Sequence, residues 1–127
     1  MKKPTGARPL GGSRGRYVPD AGDLVWLSFS PQAGREQAGR RPAVVLSPRL
    51  YNAKAGLCVV CPVTRQIKGY PFEVALSGGV PVEGVVLSDH VRSVDWQDRK
   101  IIWIDHVPAE VLDQVRSKLK PLLGMVP

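Results

Sequence analysis

Short apolar runs alternate with clusters of turn-forming residues through most of the chain, and helical spacing emerges only near the end. Asp23-Leu-Val-Trp-Leu-Ser-Phe29 alternates and is rich in strand-favouring side chains, which predicts a first strand. The polar, glycine-bearing stretch Ser30 to Arg40 is longer than an ordinary hairpin connection, and such loops in compact domains tend to carry function. Arg41 to Leu46, almost wholly apolar after Pro42, predicts a strand buried on both faces. Ser47 to Ala55 reads as a connection, Leu57 to Thr64 as a third strand, and Phe72 to Leu76, after a turn over Arg65 to Pro71, as a fourth. Turn chemistry from Ser77 to Gly84 precedes three further short strands, Val85 to Leu87, Arg92 to Trp96 and Ile101 to Asp105.

Pro108-Ala-Glu110 has the features of a helix start, and Val111, Leu112, Val115 and Leu119 then recur at helical spacing. Pro121 weakens that helix near its end and Gly124 terminates it. No helix is predicted before Pro108. Six or seven short strands with one C-terminal helix make a mainly β fold, either a strongly bent antiparallel sheet or an SH3-like barrel.

Charge divides the chain unevenly. Five of the 18 Lys and Arg residues lie in 1–16, where no acid accompanies them. That segment, of Lys, Arg, Gly and Pro, is expected to be a disordered basic tail, with the folded domain running over 17–127. Tyr17 to Phe72 is basic and Glu73 to Pro127 mildly acidic, so a polyanion should meet the first half. Neither a secretory signal nor an apolar run of about 18 residues is present, which predicts a cytoplasmic protein with no membrane contact.

Cys58 and Cys61 have redox or zinc spacing, but on a strand positions three apart face opposite sides, so packing thiols are expected and no metal site. No nucleophile elbow, phosphate-cradling loop or metal-ligand cluster stands out. Pattern and charge alone thus yield a small β-rich domain compatible with RNA binding.

The stretch Glu36-Gln-Ala-Gly-Arg-Arg-Pro-Ala-Val-Val-Leu-Ser-Pro48 strongly resembles the signature of the MazF/PemK toxin family. Tyr17-Val-Pro-Asp-Ala-Gly-Asp-Leu-Val-Trp26, Tyr51-Asn52, Cys61-Pro-Val-Thr64 and Lys68-Gly-Tyr-Pro-Phe-Glu-Val74 extend the likeness, which spans Tyr17 to Gly124. It implies an SH3-like barrel homodimer that cuts single-stranded messenger RNA without metal or cofactor, leaving 2′,3′-cyclic phosphate and 5′-hydroxyl ends. It also implies an antitoxin of the MazE kind, carrying an extended acidic segment. Two family catalytic positions fall on Arg41 and Thr64.

Those residue types suit the chemistry, since RNA supplies its own nucleophile and the protein must orient the strand and stabilise the phosphorane. The planar fork of Arg41 can bond two phosphate oxygens, and Thr64 can donate to a non-bridging oxygen. A guanidinium is a poor base at neutral pH, so Arg41 suits the acid side, and Glu36 is the candidate base or the residue that orients Arg41. Gln37, Arg40, Asn52, Arg65, Gln66 and Lys68 are candidates to line an RNA groove. Trp26, Trp96 and Trp103 are possible stacking platforms, Trp26 reading first as core, and His90 is set aside because the family does not rely on a histidine there.

Two departures from a well-known branch of the family stand beside the expected scissile site. Arg40 replaces a histidine and Arg65 a second threonine, and both changes bear on which bases are recognised. A gyrase poison of the CcdB kind is disfavoured by the absence of a tryptophan-bearing C-terminal tail, and a passive RNA-binding module would leave RNA intact.

Overall fold

The computed structural model describes residues 17–28 and 40–125. Seven strands form one antiparallel sheet: β1 (Asp23–Ser28), β2 (Arg40–Val45), β3 (Leu57–Thr64), β4 (Glu73–Ala75), β5 (Val85–Leu87), β6 (Arg92–Asp95) and β7 (Ile102–His106). Helix α1 (Arg49–Ala55) lies between β2 and β3, a 3-10 turn (Ser88–His90) follows β5, and helix α2 (Ala109–Leu122) comes last. The mainly β class with a C-terminal helix is as the sequence predicts. The sheet does not close, however: its ladder runs β4-β5-β3-β2-β1-β7, with β6 added on β3.

Strand β3 organises that sheet. One edge pairs with β2, in the register Ala43 with Pro62 to Val45 with Val60. The other edge pairs with β6 over Leu57 to Val60 and with β5 over Val63 and Thr64. Between those partners stand Cys61 and Pro62, and proline has no N–H to donate to a ladder. The partner change bends the sheet and delivers Thr64 to the corner where β2, β3 and β5 meet.

Alternation along the strands builds two cores, one on each face. Leu24, Val44, Cys61, Val63, Val74 and Val86 pack with Val111, Val115 and Leu119 of α2 on the first face. Val25, Leu27, Ala43, Val45, Cys58 and Val60 pack with Val94 and Trp96 on the second. Ala43, Val44 and Val45 are wholly buried, as a strand covered on both sides requires. Cys58 and Cys61 therefore face opposite cores as free thiols. Burial pushes both thiols up to about 12, with the Asp89 carboxylate adding to the effect at Cys61.

Helix α1 corrects the expectation that Ser47 to Ala55 is only a connection and that no helix precedes Pro108. The one residue it buries is polar, Asn52, so no apolar stripe announces it. Pro48 stands at its N-cap, and Gly56 closes it in the left-handed conformation with φ 73°, its N–H bonding the Asn52 carbonyl. The expected fourth strand is shorter than Phe72 to Leu76, and β2 starts one residue earlier, at Arg40.

Candidate active site

Extending the β2–β3 register by one face-sharing pair beyond Ala43 and Pro62 sets Arg41 opposite Thr64. Directly opposed residues share a face, and Thr64 in turn stands opposite Val85, while Glu73 stands opposite Leu87. Arg41, Thr64, Leu87 and Glu73 consequently project to one side of four neighbouring strands. They line a cavity of about 260 Å³, completed by Gln66, Lys68 and Tyr70 from the loop after β3 and by His90 from the 3-10 turn. Two residues 23 positions apart in sequence thus meet because the sheet places them in register.

The loop over 65–72 is held through its N–H groups by the side chains at its two ends. The Glu73 carboxylate accepts from the backbone N–H groups of Lys68 and Gly69, each at 3.0 Å. The Thr64 hydroxyl oxygen accepts from the Gln66 N–H at 3.1 Å, which leaves its own proton free to donate into the cavity. Arg41 is exposed, and among the described residues its guanidinium is in no ion pair. A cation with an open donor fork beside an oriented hydroxyl is suited to an oxyanion such as phosphate.

Thr64 also forms part of a second cavity, of about 400 Å³, on the other side of the β2–β3 ladder. Its walls are Trp26, Pro42, Val63 and Arg65 together with Pro81, Val82 and Glu83 of the β4–β5 loop. Trp26 is half-buried rather than wholly in the core, and the Arg40 guanidinium lies 5.6 Å from the centre of its ring. Arg40 and Trp26 meet because Trp26 pairs with Pro42, two residues along β2 on the same face. Gly84, with φ 133°, lets the β4–β5 loop close against the strand end, since a Cβ there would stand 2.3 Å from the Thr64 carbonyl oxygen.

Other expected site residues fare differently. Gln66 and Lys68 lie with Arg41, whereas Arg40 and Arg65 belong to the tryptophan cavity. Glu36 and Gln37 lie outside the described residues. Asn52 is not an RNA-facing residue: it is fully buried, donating to the carbonyls of Pro19 and Ser47 and accepting from the Ser47 hydroxyl at 2.6 Å. Trp96 and Trp103 are likewise buried and cannot offer a face to a base; the Trp96 indole N–H donates to the Asn52 carbonyl. Tyr70 and Glu73 carry no signal of their own in the sequence: Glu73 reaches Arg41 by strand register, whereas Tyr70 comes with the loop after β3 and His90 with the 3-10 turn.

Among the described residues no group of three or more His, Cys, Asp and Glu is arranged to hold a metal ion. No helix among them is long and apolar enough to cross a membrane.

Comparison with known proteins places this geometry. The chain is 51% identical over 109 residues to the endoribonuclease toxin MazF of Escherichia coli K12, covering 86% of this chain and 97% of that one. It is 32% identical to Escherichia coli endoribonuclease PemK, over 82% of this chain and 81% of the other. Its structure superposes on a crystal structure of MazF from Deinococcus radiodurans with a TM-score of 0.79 and 60% identity, covering 87% of this chain and all of that one. A MazE–MazF complex from the same organism gives 0.78 and 54%, with the same coverage. A family model described as PemK-like, MazF-like toxin of type II toxin-antitoxin system matches residues 20–123, and the chain belongs to that family.

Proposed function

We propose that this endoribonuclease toxin cuts single-stranded RNA at the cavity shared by Arg41 and Thr64, in a reaction that uses the RNA's own 2′-hydroxyl. The single observation that carries the reading is the convergence, on one open cavity, of an oriented hydroxyl and a guanidinium that is in no ion pair among the described residues. In this mechanism the 2′-oxygen attacks the adjacent phosphorus, forming the O2′–P bond as the P–O5′ bond breaks. The Arg41 fork neutralises charge building on the phosphoryl oxygens and supplies a proton to the departing 5′-oxygen. Thr64 donates to a non-bridging oxygen and fixes the phosphate's orientation. Glu36 takes the 2′-proton; where it instead only holds Arg41 in place, that proton passes to water. The products are a 2′,3′-cyclic phosphate and a 5′-hydroxyl, with no metal required.

Gln66 and Lys68 also line the cavity, and their side chains are assigned to contacts with the backbone of the strand. A homodimer and an antitoxin with an extended acidic segment complete the proposed assembly. Support for the latter comes from the MazE–MazF complexes on which this chain superposes and from the cations at both cavities, which suit an acidic peptide lying along the RNA path.

The test is incubation of purified protein with a long, mixed-sequence RNA in EDTA, with product ends mapped. Discrete cuts bearing cyclic-phosphate ends, absent with Arg41→Ala and with Thr64→Ala, are expected. RNA left whole by folded, antitoxin-free protein would refute the reading. Full cleavage rate at every pH with Glu36→Gln would remove that residue from proton transfer.

A further inference from the structure

The tryptophan cavity is not needed for phosphoryl transfer, yet it shares Thr64 with the Arg41 cavity. A strand whose phosphate sits on Thr64 has a neighbouring nucleotide within reach of it. We infer that this cavity binds one nucleobase beside the cleaved phosphate, and that the base it selects is guanine. The inference rests on the ribonuclease reading and names a specificity element within it.

The first argument is shape and polarity. Single-stranded RNA is read by stacking splayed bases on aromatic or guanidinium planes and bonding their edges. Here the half-buried Trp26 indole supplies a plane at the wall, Arg40 lies against it, and Pro42, Val63 and Val82 supply an apolar lining. The volume of about 400 Å³ falls in the range of small-molecule sites, roughly 300–1,000 Å³. Trp96 and Trp103 are buried, so Trp26 is the tryptophan with a face to offer.

The second argument is the edge chemistry. Arg65 and Glu83 both line this cavity, and among the described residues neither side chain is in an ion pair or hydrogen bond. A guanidinium fork matches two adjacent acceptors, and a carboxylate matches two adjacent donors. Guanine carries both patterns, O6 and N7 on one edge and N1–H with the N2 amino group on another. Adenine, cytosine and uracil each offer at most one of the two pairs.

The third argument is convergence. Arg40 at the start of β2 and Arg65 just after β3 both come to this one cavity, Arg65 in its wall and Arg40 over its indole.

The experiment titrates full-length protein with oligodeoxythymidylate strands carrying one central guanine or one central adenine, following tryptophan emission. These strands lack a 2′-hydroxyl and cannot be cut by transesterification, so they report binding alone. Expected is quenching with an affinity about 5- to 150-fold higher for the guanine strand, the preference a good bidentate contact confers. Glu83→Gln and Arg65→Thr should erase the preference, and Trp26→Phe should remove the quench. In parallel, cut sites in mixed-sequence RNA should show guanine at one fixed position beside the cut, relaxed in Glu83→Gln.

Equal affinity for the two strands, or a preference unmoved in both edge variants, overturns the inference. Cleavage without guanine at a fixed position also overturns it while leaving the ribonuclease intact. Conversely, guanine-selective quenching by protein that never cuts RNA upholds the base site and refutes the ribonuclease. Quenching by an acidic peptide with none by any strand assigns the cavity to a protein partner instead.

Discussion

Thr64 is the residue on which both cavities depend, and its contribution can be divided between shape and hydrogen bonding. Its oxygen is engaged by the Gln66 N–H, so the function ascribed to it belongs to the remaining proton rather than to the methyl group. Thr64→Ser is therefore expected to retain most of the cleavage rate. Thr64→Val, which keeps the β-branched shape that suits a strand, should lose about 10²–10³-fold in kcat, the usual effect of removing one transition-state donor. Single-turnover cleavage of a short RNA measures both, and full rate in Thr64→Val beside a loss in Thr64→Ser would show that the methyl packing matters instead. Asn52 is the contrasting case, a polar residue whose worth lies in stability. Removing its amide strips partners from the Ser47 hydroxyl and from the Pro19 and Ser47 carbonyls, all in a buried setting. Asn52→Ala should cost about 1–3 kcal/mol for each group left unsatisfied, seen as a lower urea midpoint, with cleavage per folded molecule unchanged.

Among the elements, the β4–β5 loop and the end of β3 are held closer than any side chain would permit. Gly84 adopts φ 133° and its missing Cβ would stand 2.3 Å from the Thr64 carbonyl oxygen, a backbone atom that cannot swing aside. Gly84→Ala should push Pro81 to Glu83 away from β3 and open the tryptophan cavity. The expected result is a loss of base preference in cut-site mapping and a fall in melting temperature, while Val74 and Val86 keep their places in the core. Unchanged preference would show that the loop does not shape the recognition site. The same contact marks where the sequence stops being legible. Strands with alternating or wholly apolar runs, such as β1 and β2, are predicted closely, because burial on known faces leaves a period that can be read directly. Helix α1 is not, since its inward residue is Asn52 and a polar anchor has no hydrophobic period. The resemblance points to Arg41 and Thr64, but their companion Glu73 follows from register across β3, β5 and β4, and Tyr70 from the loop whose N–H groups Glu73 binds, which no local pattern encodes. Asn52 shows the converse failure: its place beside Tyr51 in the signature reflects folding rather than contact with RNA.

At the scale of the whole molecule, the bent sheet buries one thiol on each face, and that arrangement sets how the fold responds to alkali. Cys58 belongs to the core containing Val60 and Trp96, and Cys61 to the core covered by α2. Both are raised from an ordinary value of 9.0 to about 12, chiefly because burial penalises the thiolate. Between those two values the unfolded chain has lost both protons while the folded chain keeps them. A state that holds more protons is destabilised as protons become scarce, so stability is fully present below pH 9.0 and is lost as pH climbs toward about 12. Because the thiols sit in separate cores, neither core can release its strain by exposing one side of the sheet alone, and the loss should appear as cooperative global unfolding. Urea midpoints taken at stepped pH should fall steeply above 9, with the slope reduced by Cys58→Ala and reduced again in the Cys58→Ala, Cys61→Ala double variant. Each alanine leaves a small void, so the variants are expected to start from a lower midpoint near neutrality and to lose less from there. A slope identical in all three proteins would mean that the thiols ionise in the folded state, and that the two cores admit water far more readily than their packing implies.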